Sequence, residues 1–383
     1  MVPDEIRAIK PRFTWQQFAR LPGYIVGGLK YHTAGKLYIP KPMHSSLRVT
    51  RRCNSRCVMC RDWKTPADSR DITVEEIRQI YSSPLFSSLH RIGFSGGEPT
   101  LRADLAEIAE AVLSACPQIT EMRLVTNGLE PDTAIQRVGE LLDVCQRKGI
   151  SRFSVSVSLD GYGPVHQEIR RVPQAFERVS ETLRQLKCLQ TGKPFDLNSS
   201  CVVQRMNFEH LLPLAEFASG LNLPLTFIPV RFNTSAADDQ NASPELTGEQ
   251  IKQLSVIFQG QLRRYLTPSN FVFWQRYFAM HRGEKTKRSL PCYLLWHFVD
   301  VNTDGTLSVC VQRYSLECGN AWDKPPHELW YSNKLKELRR SAEKSICPGC
   351  TDCCDLDTSV RMEFFFYAGF WLRERIKELN FIR

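Results

Sequence analysis

Cys53, Cys57 and Cys60 fall within eight residues of the stretch "RRCNSRCVMCRDW". Thiolates are ligands for iron–sulfur clusters and for zinc. On a four-iron cluster, three thiolates leave one iron without a protein ligand, and an open iron is a place for chemistry. A zinc ion completed by a distant ligand such as His44 or His90 is the alternative that the spacing allows. A second set of thiols lies near the end of the chain: Cys292, Cys310, Cys318, Cys347, Cys350, Cys353 and Cys354. The remaining four, Cys116, Cys145, Cys188 and Cys201, are isolated and read as small buried apolar side chains. Between the two sets, "FSGGEPTLR" supplies paired glycines, which let backbone approach a ligand, and Glu98, a carboxylate acceptor for a cationic amine.

Six apolar, β-branched runs must position these residues: "SLRVT", "RIGFSG", "EMRLVTNG", "RFSVSVSLDG", "NSSCVVQ" and "LTFIPVR". Amphipathic stretches separate them, from "TVEEIRQIYSS" to "FEHLLPLAEFASGL". Strand and helix in alternation predict an α/β fold, a partial (β/α)6 TIM-like barrel over residues 45–231, with ligands at the C-terminal strand ends. Residues 1–44 form an N-terminal extension. The polar run "FNTSAADDQNASPELTGEQ" opens a helical connecting segment, 232–290. A cysteine-rich module follows over 291–356, in which "VDVNTDGTLSVC" predicts a hairpin turning at Asp304-Gly305. An aromatic and basic helix over 357–383 ends the chain.

The formal charge of +9 is spread along the chain, and no basic and aromatic residues interleave as an RNA-binding motif would require, so nucleic acid is not an expected partner. No apolar run approaches the roughly 20 residues needed to span a bilayer, and "MVPDEIRAIKPRF" lacks a signal peptide's apolar core. A cytoplasmic chain with reduced thiols is the expectation. The segments "FTWQQFARLPGYIVGGLKY" and "FFFYAGFWLRERIKELNFIR" set aromatics beside basic residues, which suits packing over the barrel or a peripheral membrane contact.

Cys-x3-Cys-x2-Cys after the first strand, with Gly-Gly-Glu-Pro after the second, resembles the radical S-adenosylmethionine (SAM) superfamily. The resemblance implies a [4Fe-4S] cluster on Cys53, Cys57 and Cys60, with SAM chelating the fourth iron. Gly96, Gly97 and Glu98 would hold the methionine amine and Met59 would contact adenine. "SVSLDGYGPVHQEIR" resembles the fourth-strand motif of the subfamily of anaerobic sulfatase-maturating enzymes. Ser158 would then bond the ribose and Arg170 the methionyl carboxylate, roles that their spacing favours, with a surface helix charge as the alternative for Arg170. Asn127 and Val202 are further pocket candidates; an ordinary turn and a core strand position are their alternatives.

Cys292, Gly305 and Cys310, followed by "CPGCTDCC", resemble SPASM and twitch modules, which bind auxiliary iron–sulfur clusters. No cysteine follows Cys354, so the resemblance implies one auxiliary [4Fe-4S] cluster, on Cys292, Cys310, Cys347 and Cys350, with Cys353 or Cys354 as alternates. Zinc there is the competing metal, and Cys318 reads as a buried thiol. The function implied is a radical SAM oxidoreductase: SAM is cleaved to a 5'-deoxyadenosyl radical, hydrogen is taken from a small-molecule or peptide substrate, and the auxiliary cluster removes an electron. A redox-neutral epimerase or rearrangement enzyme, a cross-linking peptide maturase and a non-catalytic metal scaffold are the alternatives. A reducing partner such as flavodoxin or ferredoxin is implied, and no residue is assigned as catalytic acid or base.

Overall fold

The computed structural model describes residues 37–60, 62–64, 70–230, 245–266, 268–284, 294–311 and 316–350. The expected C-terminal helix, most of the N-terminal extension, and Cys292, Cys353 and Cys354 lie outside the described residues.

All six expected strands form, in one parallel array. Strand β1 (His44–Thr50) is followed by α1 (Val74–Tyr81), β2 (Arg91–Gly96), α2 (Leu105–Ala115), β3 (Glu121–Thr126), α3 (Pro131–Lys148) and β4 (Arg152–Ser158). A short α4 (Pro164–Arg170) precedes α5 (Ala175–Gly192), β5 (Asp196–Val203), α6 (Leu211–Gly220) and β6 (Leu225–Pro229). Then come α7 (Gly248–Gln259), α8 (Pro268–His281), α9 (Leu294–His297), β7 (Phe298–Val301), β8 (Thr306–Ser308), β9 (Glu317–Asn320), α10 (Pro326–Tyr331) and α11 (Asn333–Ser345). The sheet order is β6-β5-β4-β3-β2-β1-β7-β8-β9. The hairpin β7–β8 turns at Gly305, whose positive φ suits the tight reversal.

The C-terminal module is therefore joined to the barrel's sheet rather than standing on a sheet of its own: β7 pairs parallel with β1, His44 opposite Phe298. At the other edge, α8 covers β6. Asn270 takes the place of a neighbouring strand for Phe227, accepting from its N–H at 3.3 Å and donating to its C=O at 2.8 Å, and Trp274 also donates to that carbonyl. Edge groups that would otherwise stand unpaired are thus satisfied.

Alternation decides which face of the sheet meets the helices. Ile92 and Phe94, Met122 and Leu124, and Val155 and Val157 are buried on the helix side, while the residues between them remain partly exposed on the other face. Of the four isolated cysteines, Cys116, Cys145 and Cys201 are buried as expected. Cys188 is a correction, because it lies exposed on the solvent face of α5, two positions after buried Leu186.

Gly96 and Gly97 end β2 against the backbone of the cysteine loop. A Cβ at Gly96 would lie 2.2 Å from the Thr50 carbonyl oxygen, and one at Gly97 would lie 2.1 Å from that of Arg52. Gly97→Ala should therefore lower unfolding stability by roughly 1–3 kcal/mol or more, since the obstacle is main chain and cannot swing away. Gly139→Ala, at a helix position with open space around it, should instead raise stability by about 0.5–1 kcal/mol. Denaturant titration of both variants checks this, and an unharmed Gly97→Ala would show the close approach to be unimportant.

Candidate functional site

The three cysteines lie in the loop that leaves the C-terminal end of β1, and main-chain bonds hold that loop from two sides. On one side, Gly97 N–H donates to Thr50 C=O and Glu98 N–H to Arg52 C=O, both at 2.8 Å. On the other, the Arg56 and Val58 N–H groups donate to the carbonyls of Arg170 and Ile169, at 3.1 and 3.0 Å. Those carbonyls end α4, where a helix leaves its last acceptors unused. Ser55 adds a hydroxyl bond to the Arg170 carbonyl at 2.9 Å and lies 3.0 Å from Cys57 Sγ.

Cys57 is buried, and Cys53 and Cys60 are partly so. Burial pushes the Cys53 thiol up to about 12; the charges of Glu98, Cys57 and Cys60 push the same way, and the Ser55 backbone N–H opposes them. Thiolates gathered here call for a cation, and a metal cluster supplies one. The hydrogen-bonding groups beside two of the sulfurs fit that use: Asn127 Nδ2 lies 3.8 Å from Cys53 Sγ, and Arg170 Nη1 donates to Cys57 Sγ at 3.5 Å. Among the described residues, no three His, Cys, Asp or Glu side chains converge closely enough to hold a single ion. His44 and His90 sit at the N-terminal ends of β1 and β2. Seven strand residues separate that end from the loop by about 20 Å, so neither histidine completes a zinc site with these cysteines.

Glu98 is buried, with four donors on its carboxylate. Oε1 accepts from Thr100 N, Thr100 Oγ1 and Thr126 Oγ1 at 3.1, 2.7 and 2.7 Å, and Oε2 accepts from Asn127 N at 2.6 Å. Burial raises its pKa and these bonds oppose the rise. The side chain thus ties the end of β2 to the end of β3. Asn127 forms both a local turn, accepting from Leu129 N, and a bond to Asn54 Oδ1 at 2.8 Å inside the cysteine loop.

Arg170 is not a surface charge. It is 7% exposed, and its guanidinium bridges Asp160 Oδ2 at 2.5 Å and Cys57 Sγ. Burial acts to lower its pKa, but the neighbouring Asp160 and Cys57 charges outweigh it and hold the group charged. Asp160, fully buried, also accepts from the backbone N–H of Val202 at 2.7 Å, so Arg170 and Val202 are brought together through it. Ser158 ends β4 opposite Ser200 and is partly exposed, as is Met59 in the loop. Sequence reasoning missed Ser55, Asp160 and Thr126. An aspartate before glycine at a strand end was the available signal for Asp160; Ser55 and Thr126 carried none.

Cys310 follows β8 and Cys347 and Cys350 follow α11, all partly exposed, with Cys310 and Cys347 packed on the edge of the core. Cys318 is buried on β9, and burial raises its thiol to about 12. Arg339, fully buried, holds the module together. It stacks on Trp330 at 4.1 Å and donates to the Leu295 and Trp330 carbonyls.

Residues 47–218 match the model of the radical SAM superfamily, and residues 292–354 match SPASM, an iron–sulfur cluster-binding domain. The AdoMet-dependent heme synthase of Methanosarcina barkeri is 25% identical over 331 residues, 79% of this chain and 89% of that protein. The GTP 3',8-cyclase of Aquifex aeolicus is 26% identical, over 78% of this chain and 92% of the cyclase. Human molybdenum cofactor biosynthesis protein 1 is 31% identical over 48% of this chain, but only 28% of that protein is matched. Among solved structures, Streptococcus suis SuiB bound to S-adenosylmethionine superposes with a TM-score of 0.58 at 14% identity, over 91% of this chain and 80% of SuiB. Native anSMEcpe with bound AdoMet gives 0.56 at 18%, over 87% and 99%. At these identities the structural likeness concerns the fold. No helix among the described residues is long and apolar enough to cross a membrane. The chain belongs to the radical SAM superfamily as a SPASM-containing member, using a [4Fe-4S] cluster with SAM at its barrel and an auxiliary iron–sulfur cluster in its C-terminal module.

Proposed function

We propose that this enzyme is an oxidoreductase that takes hydrogen from an organic substrate, small molecule or peptide, and passes the remaining radical electron to its auxiliary cluster. When bound, the barrel cluster and SAM supply a 5'-deoxyadenosyl radical as the hydrogen abstractor. Cys53, Cys57 and Cys60 hold that cluster; Gly96, Gly97 and Glu98 present the edge for the methionine amine. Met59 meets adenine, Ser158 the ribose and Arg170 the carboxylate, with Asn127 and Val202 completing the pocket. Cys292, Cys310, Cys347 and Cys350 hold the auxiliary cluster. A low-potential reductant such as flavodoxin or ferredoxin feeds the site.

One observation above all supports oxidation: the direct attachment of the module to the cysteine loop. Arg51, two residues before Cys53, donates to Thr303 Oγ1 at 3.1 Å and pairs with Asp304 at 3.3 Å in the β7–β8 turn, beyond which the chain runs to Cys310. An electron acceptor placed there serves a substrate radical formed at the barrel mouth. The redox-neutral reading is favoured by the Aquifex relative, which is named a cyclase.

Anaerobic reconstitution should give about eight irons per chain in two clusters. Changing Cys53, Cys57 and Cys60 together to Ala should remove about half the iron and all 5'-deoxyadenosine formation. Four irons in the unmodified chain, with zinc as the balance, would refute the auxiliary-cluster assignment.

Arg170→Ala should weaken SAM binding by roughly 1.5–3 kcal/mol, the scale of a charge-assisted hydrogen bond. It should also lower stability, because Asp160 is left buried beside no cation. Loss of stability with unchanged SAM affinity, read by equilibrium dialysis, would confine Arg170 to its Asp160 and Cys57 contacts.

Comparing metabolites of cells with and without the gene provides the substrate. With it in hand, a folded Cys347→Ala, Cys350→Ala variant should keep forming 5'-deoxyadenosine while losing product. Normal product from that variant, with iron analysis showing only one cluster, would sink the oxidative reading and promote the redox-neutral one.

A further inference from the structure

Two groups of Ser55 face two of the three cysteine sulfurs. Its backbone N–H bonds Cys53, and its hydroxyl lies 3.0 Å from Cys57 Sγ. Ser55 is 1% exposed and Cys57 6%, whereas Cys53 and Cys60 are only partly buried. A donor to Cys57 Sγ therefore acts with little competition from water, where a hydrogen bond is electrostatically strongest. The same hydroxyl lies 2.9 Å from the Arg170 carbonyl oxygen, so its one hydrogen has two acceptors to choose between.

Metal ligation decides the choice. A cysteine sulfur bonded to iron carries no hydrogen, and 3.0 Å is too close for an oxygen and a sulfur that present only lone pairs to each other. The hydrogen between them must then come from Ser55. The Arg170 carbonyl is not orphaned when the hydroxyl turns, because the Arg56 N–H already donates to it at 3.1 Å. A second donor, Arg170 Nη1, reaches the same sulfur at 3.5 Å from a guanidinium that Asp160 holds at 2.5 Å. Cys57 Sγ thus receives one neutral and one cationic donor.

We infer that Ser55 tunes the reduction potential of the barrel cluster, its hydroxyl donating to Cys57 Sγ with Arg170 as the second donor. Reduction moves one electron to the cluster from an external one-electron carrier of the flavodoxin or ferredoxin class, and no covalent bond to Ser55 forms or breaks. The added negative charge is shared by the ligand sulfurs, so a hydrogen bond to one of them is stronger in the reduced state and raises the potential. Ser55 acts through the Cys57 sulfur and is a positioning residue, not a catalytic one. The inference is independent of substrate and reaction outcome; it rests on Cys53, Cys57 and Cys60 as the cluster's ligands.

The test is a redox titration, followed by electron paramagnetic resonance, of the anaerobically reconstituted full chain without SAM. The barrel cluster's signal is the one missing from the Cys53→Ala, Cys57→Ala, Cys60→Ala variant, and the auxiliary cluster's signal serves as internal reference. In Ser55→Ala the equilibrium constant for reducing the barrel cluster should fall about tenfold, a midpoint about 59 mV more negative, while the auxiliary cluster keeps its potential. Ser55→Thr, which keeps the hydroxyl, should stay close to the unmodified chain. In deuterated water, electron–nuclear double resonance of the reduced barrel cluster should show an exchangeable deuteron that Ser55→Ala lacks. An unchanged potential in Ser55→Ala would overturn the inference. So would an equal shift in a folded Ser55→Thr, or loss of the barrel cluster's iron from Ser55→Ala, since either would make Ser55 a support of the loop alone. Should the threonine variant not fold, the deuteron decides, and its persistence in Ser55→Ala overturns the inference. A triple-cysteine variant that retains both signals would strike the ligand assignment instead.

Discussion

Two strand ends meet here with no space for a side chain between them. Where β2 finishes, Gly96 and Gly97 lie directly on the Thr50–Arg52 backbone, and two main-chain hydrogen bonds join the segments. The cysteine loop therefore leaves β1 along a course set by backbone and not by adaptable packing. Its far half is fixed just as firmly, on the last carbonyls of α4. Main-chain bonds at both ends of the loop restrict the freedom of its thiols.

The buried charges follow from that arrangement. Glu98 sits beneath the meeting point and accepts four hydrogen bonds, three of them from the turns that carry Thr100 and Asn127, so the carboxylate organises the ends of β2 and β3. Arg170 performs the equivalent task on the opposite wall. Its charge is retained under burial because Asp160 faces it and Cys57 lies beside it. Asp160 in turn fixes the end of β5 through Val202. Removing any one of these groups would leave its partner buried and uncompensated, which costs more than the pair itself contributes.

Much of this was legible in the sequence because the signals were local. Each of the six strands is a short β-branched run bounded by turn residues, and the cysteine and glycine motifs declare themselves by spacing. The contacts that give the motifs their geometry were not legible. The glycines read as an approach to ligand, and nothing in their spacing told that they also pack against the cysteine loop's own backbone. A solvated helix charge stayed open as the alternative for Arg170, since nothing in "HQEIRR" tells which of two adjacent arginines turns inward; Arg170 is buried and Arg171 is exposed. Cys188 failed for a related reason, as helix phase and not residue type decided its exposure.

The placement of the C-terminal module could not be read from local signals, and it shapes the function. A cysteine-rich segment after a long polar linker suggests an independent unit, yet β7 runs beside β1 as the next parallel strand. Parallel pairing points both strands in one direction, so the β7–β8 turn emerges at the same end of the sheet as the cysteine loop. That is why Arg51 can reach Thr303 and Asp304. The strand leading to Cys53 and the hairpin leading to Cys310 thus share one ladder of hydrogen bonds. A displacement of one is resisted by the other, so the two cysteine-bearing segments keep a fixed relation to each other.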